Sequence, residues 1–87
     1  MSGQEKIVAE LIRGLRHERD ELKLQMHLAK KELQEEWEKL DEKLDQLDER
    51  YTPMKGAVQE SADDVWDSLK LVGLEIRDGF KRIRKAL

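Results

Sequence analysis

From Val8 to Tyr51 the apolar residues return mostly every three or four positions, and no proline falls among them. The stripe is Val8, Leu11, Leu15, Leu22, Met26, Ala29, Leu33, Trp37, Leu40, Leu44, Leu47 and Tyr51. Such spacing puts these side chains on one side of an α-helix, where another helix must cover them. A gap at Glu18 and Arg19 leaves the phase intact, and Gly14 is the only interior glycine. From Leu33 onward the steps alternate four and three, a heptad seam that favours left-handed packing. The pattern predicts a single helix over about residues 3–51, roughly 70 Å long at the α-helical rise. Ser2-Gly3-Gln4-Glu5 has the form of a capping box at its start.

The only proline in the 87 residues, Pro53, follows this stretch. Thr52 suits an N-cap and Pro53 the first position of a second helix. Beyond it the stripe resumes through Met54, Val58, Ala62, Val65, Leu69, Val72, Ile76, Phe80, Ile83 and Leu87. A second helix is expected over about 53–87, with Ser61 as the alternative start. Inside one continuous helix the proline would cost about 3 kcal/mol, and the stripe would stay bare. The expectation is therefore an all-α single domain spanning 1–87, a long antiparallel hairpin turning near 52–53. Its core would hold Leu33, Trp37, Leu40, Leu44, Leu47, Val65, Leu69, Val72, Ile76, Phe80 and Ile83, with Trp37 opposite Trp66.

A hairpin of these proportions is unequal. Residues 5–16 would overhang, exposing Ile7, Val8, Leu11, Ile12 and Leu15, each forgoing about 1.5–3 kcal/mol of burial. Leu24 and Leu28 stand opposite the main stripe, as do Leu71 and Leu74 on the second helix, so each helix carries a second apolar face. These nine residues are the expected self-association surface. Residues 32–49 carry nine acids and two lysines, whereas residues 77–87 carry five bases and one acid. A hairpin would then have an acidic turn end and a basic open end. Charge complementarity favours an antiparallel dimer of hairpins, a four-helix bundle, or a larger homo-oligomer.

Composition limits the chemistry. Charged residues are 43% and aromatics 5%, which suits long helices and not a thick globular interior. With no cysteine there are no disulfides, thiolate metal sites or cysteine nucleophiles. No signal-peptide core and no membrane-length apolar run occur, so a cytoplasmic location is expected. The net charge of −3 disfavours general nucleic-acid binding. The acidic run lacks the Glu-x-x-His spacing of di-metal bundles, and His17 and His27 lie on different faces, so no metal or other cofactor is expected. Neither Ser61 nor Ser68 has a nearby base, and enzymatic activity is not expected. The tail from Arg77 to Leu87 sets Phe80, Ile83 and Leu87 against five cations, a pattern suited to a helix C-terminus or to an anionic membrane surface. Gly73 and Gly79 in the second helix either admit a neighbouring helix or permit fraying.

Leu24-Gln25-Met26-His27-Leu28-Ala29-Lys30, Glu35-Glu36-Trp37-Glu38-Lys39-Leu40 and the terminal Gly79-Phe80-Lys81-Arg82-Ile83-Arg84-Lys85-Ala86-Leu87 resemble a family of short bacterial helical coiled-coil proteins. Its members are uncharacterised and described as apolipoprotein-like or stress-associated. The resemblance implies a bacterial helical hairpin and brings no activity or catalytic residues. The functional expectation is a non-enzymatic structural module that binds itself or a helical partner. The runner-up is a peripheral stress protein that binds lipid through amphipathic helices.

Overall fold

The computed structural model describes residues 3–54 and 63–87. The described residues form three α-helices, α1 (Gly3–Met26), α2 (Lys31–Tyr51) and α3 (Asp63–Ala86), with a 3₁₀ turn at Thr52–Met54. The fold is all-α as expected, but the helix over 3–51 is two helices. Chain extents of 45 × 18 × 16 Å leave no room for a 70 Å rod.

Residues 27–30 break the long helix without a proline or glycine. The amides of Leu28 and Ala29 donate to the carbonyls of Gln25 and Met26, each three residues back, which tightens the last turn of α1. Lys30 then turns to an extended conformation (φ −62°, ψ 150°), and its carbonyl accepts the first bond of α2 from the Gln34 amide at 3.0 Å. Lys30 offers no side-chain cap. The corner is secured from the other side: the Gln34 side-chain amide donates to Met26 O at 2.7 Å and to Ala29 O at 3.1 Å. Ala29 O, left without a helical donor by the break, thereby gains one, and Met26 O gains a second beside the Ala29 amide.

Contacts fix the topology as up–down–up. Arg16 pairs with Asp48, and Arg19 reaches Asp45 at 3.3 Å and Asp41 at 3.5 Å, so α1 and α2 are antiparallel. Lys43 meets Glu75 at 3.3 Å and the rings of Tyr51 and Trp66 meet edge-on at 5.9 Å, so α2 and α3 are antiparallel. Arg84 on α3 reaches Glu21 and Glu18 on α1, while Gly73 sits against Leu11, so α1 and α3 are parallel.

The core runs through all three helices. Val8, Ile12, Leu15, Leu22 and Met26 of α1, Trp37, Leu44 and Leu47 of α2, and Trp66, Leu69, Ile76, Phe80 and Ile83 of α3 are buried. Leu11, Leu40 and Val72 pack against them half-buried, and Leu33 is also half-buried. Val65, assigned to the core from the stripe, is 38% exposed; its neighbour Trp66 takes the inward position and meets Tyr51. The gap at Arg19 is filled by that side chain lying along the core edge and reaching the α2 acids, as a long cationic stem can.

The register corrects the expected hairpin as well. Trp66 is level with Tyr51 and not with Trp37, a shift of about four helical turns along α2. Thr52 does not cap α3. Its hydroxyl donates backward to Asp48 O at 2.8 Å and closes the end of α2. Pro53 lies in the 3₁₀ turn and α3 begins at Asp63. Ser2, Val58, Ser61 and Ala62 lie outside the described residues.

Close approach of α3 to its neighbours depends on its glycines. A Cβ on Gly73 would come within 2.5 Å of Leu11 Cδ2, and one on Gly79 within 2.7 Å of both Leu40 methyls. Both positions are buried, so these glycines admit neighbouring helices.

Candidate interaction surface

The overhang at residues 5–16 does not exist in the bundle. Val8, Ile12 and Leu15 are at most 2% exposed, because breaking the helix at 27–30 brings α2 and α3 alongside α1. The cover that an unequal hairpin would require from a second chain comes from within this one. The four leucines of the second faces are also separated. Since α1 and α3 run parallel with Leu11 beside Gly73, Leu71 is level with the start of α1 and Leu24 with the end of α3, about 20 Å apart. Leu24 (74% exposed), Leu28 (95%) and Leu71 (67%) face solvent, and Leu74 is half-buried.

One concavity collects several of the remaining apolar groups. Between α1 and α3, on the side away from α2, lies an open groove of about 520 Å³. Ile7, Leu11, Leu15 and Leu74 supply its apolar surface, and Gly14 lies among them. Glu10 and Glu18 stand on the α1 wall, Lys70 and Arg77 on the α3 wall. Glu10, Lys70 and Arg77 form no ion pair with another described residue. Farther along, Arg84 bridges to Glu18 and Glu21 and closes the space between the helices.

Gly14 is the residue that sequence reasoning passed over. A Cβ built there meets nothing within 4 Å, unlike those at Gly73 and Gly79. A glycine in a helix interior costs about 1 kcal/mol relative to alanine, and no packing among the described residues uses its small size. The signal was present as the lone glycine of the first stripe, but its meaning depends on a neighbouring helix absent from one-dimensional reasoning.

A second exposed region is the corner joining α1 to α2. Leu28 is at its tip and Leu24 one turn before it, with Lys23, Lys30 and Lys31 beside them. The C-terminal end of α3, carrying Lys85 and the half-exposed Leu87, lies at the same end of the bundle.

The acidic run 32–49 changes meaning too. It lies along nearly the whole of α2, where it flanks the bundle beside bases of α1 and an acid of α3 that Lys43 pairs. The acidic end and basic end of the expected hairpin, and with them the reason for antiparallel pairing, are therefore removed. Trp37 and Trp66, expected opposite each other, are about 20 Å apart along the axis and do not meet. The buried Trp37 indole N–H has no acceptor among the described residues. No cluster of three His, Asp or Glu side chains able to hold a metal occurs among the described residues, and no described helix is long and apolar enough to cross a membrane. Comparison with protein-family models, curated proteins and solved structures gives no match.

Proposed function

We propose that this chain is a non-enzymatic interaction module that works by docking helices, its own copies first, on the α1/α3 side of the bundle. The observation that carries this reading is the groove between those helices. The single chain already closes its core, yet Ile7, Leu11 and Leu74 border a concavity open to solvent with charged residues along both walls. An apolar floor with a polar rim is the arrangement by which one helix receives another.

The test is a concentration series on the full chain, by sedimentation velocity and by amide-resolved NMR, from about 1 to 500 μM (a span bracketing binding free energies of roughly −8 to −4.5 kcal/mol). The sedimentation coefficient should rise with concentration, with shift changes gathered at residues 7–18 and 70–77. A concentration-independent monomer would remove self-association from the reading.

The corner supports a second reading, a peripheral membrane protein. Among the described residues Leu28 and Leu24 are the most exposed large apolar side chains, and Lys23, Lys30 and Lys31 are close to them in sequence. Apolar insertion and cationic attraction act together at an anionic interface. Flotation with anionic vesicles decides: recovery with the vesicles that is lost in the Leu24→Ser/Leu28→Ser variant would rank this reading first.

A further inference from the structure

We infer, building on the self-association reading, that the α1/α3 groove is the interface of a parallel two-fold homodimer in which each copy's α1 lies over the other copy's α3. The inference starts from the walls. The α1 wall carries Glu10, which forms no ion pair with a described residue, and Glu18, which Arg84 also reaches at 3.7 Å, and the α3 wall carries Lys70 and Arg77. When a face with one acidic and one basic wall meets its own copy, two two-fold arrangements are open. An axis across the helices sets α1 on α1 and α3 on α3, pairing acid with acid and base with base. An axis along the helices sets each α1 on the other copy's α3, pairing acid with base on both sides.

Levels along the bundle agree with the second arrangement. The contact of Leu11 with Gly73 fixes the parallel register of α1 and α3. Lys70 is then level with Val8 and Arg77 with Leu15. Glu10 and Glu18 stand two and three residues farther on, about 3–5 Å along the axis and within reach of lysine and arginine side chains. An axis along the helices leaves these levels unchanged. Glu10 of one copy therefore faces Lys70 of the second copy, and Glu18 faces Arg77, with the symmetric pairs opposite.

The floor supplies a matching shape. Leu74 rises beside the groove at nearly the level of Gly14, where no side chain occupies the α1 surface within 4 Å. In the parallel dimer, Leu74 of each copy meets the bare helix surface at Gly14 of the other. The glycine that no contact among the described residues explains then has a use, as the hole for a knob. Ile7 and Leu11 flank it and are covered by the same contact. Lys6 and Arg13 lie one turn from Glu10 on α1, and Asp67 one turn from Lys70 on α3, all outside the groove lining. The four charges that line the groove walls therefore carry the choice of orientation.

The experiment is sedimentation equilibrium on the full chain with circular dichroism melting as the control for folding. Glu10→Lys and Lys70→Glu each replace two attractive cross-dimer pairs with repulsive ones, and each should weaken the dimer by about tenfold. The double variant Glu10→Lys/Lys70→Glu restores attraction in the parallel arrangement alone, and should recover the wild-type dissociation constant within about threefold. Gly14→Leu should keep or raise the melting temperature and give a monomer. A chain that self-associates but is indifferent to Gly14→Leu, or whose double swap fails to recover, overturns this interface while leaving self-association intact. A chain that stays monomeric throughout overturns both.

Discussion

At Gly73 and Gly79 a single hydrogen in place of a methyl sets how closely α3 meets its neighbours. Replacing Gly73 with alanine removes about 1 kcal/mol of helix-propensity penalty but drives a Cβ into Leu11, where overpacking costs about 1–3 kcal/mol. The contact at 2.5 Å involves a methyl that can swing away, but Leu11 Cγ at 3.1 Å has less freedom. We therefore expect Gly73→Ala to destabilise the bundle by about 1 kcal/mol in urea unfolding. In the Leu11→Ala background the same change should be neutral or stabilising, and a double-mutant cycle reads that reversal directly. The same residue type at position 14, with nothing in reach, should accept alanine with a gain of about 1 kcal/mol. Residue identity cannot separate these glycines, because the difference between them resides in the opposing helix.

The break between α1 and α2 belongs to the scale of the element. His27-Leu28-Ala29-Lys30 contains strong helix formers, and local preference would carry the helix through it. Opening the helix sacrifices a few backbone hydrogen bonds, each worth about 0.5–1.5 kcal/mol net. Keeping it straight would expose Val8, Ile12 and Leu15, each worth about 1.5–3 kcal/mol when buried, and would leave α3 with one neighbour instead of two. Burial outweighs local continuity, and Gln34 lessens the loss by donating to Met26 O and Ala29 O. Gln34→Ala should then lower stability by about 1–2 kcal/mol, from two hydrogen bonds lost at a partly buried site. Lys30→Asp should raise it by about 1 kcal/mol by giving α2 the side-chain cap it lacks. Chemical denaturation measures both, and an unbroken helix would show neither effect.

At the scale of the whole molecule the helix register separates the bundle from the hairpin. A chain reversing at Thr52–Pro53 would put residues 38 and 67 side by side. In the bundle, Trp66 is level with Tyr51, so position 38 lies about 20 Å along the axis from position 67. The chain has no cysteine, so Glu38→Cys/Asp67→Cys can be spin-labelled cleanly. A label separation above about 20 Å is expected from that axial offset, and one near 10 Å would restore the hairpin.

Periodicity alone was enough to make the chain helical and to mark the inward positions of α2 and most of α3. That is because helix geometry converts spacing into a face whatever the surroundings. Even there Val65 and Trp66 traded places, since both lie near the edge of the stripe and the choice rests with Tyr51 on another helix. The apolar residues near the start of the chain announced a need for cover, and the size of that need was legible. What supplies the cover was not, because a bend in one's own chain and the arrival of a second chain satisfy it equally well in one dimension. Only the tertiary structure broke the helix at His27–Lys30, moved Trp66 from the level of Trp37 to that of Tyr51, and left Gly14 open. The physical reason is shared by all three. Each depends on where side chains distant in sequence come to lie, and burial against those residues outweighs the local preference of the backbone.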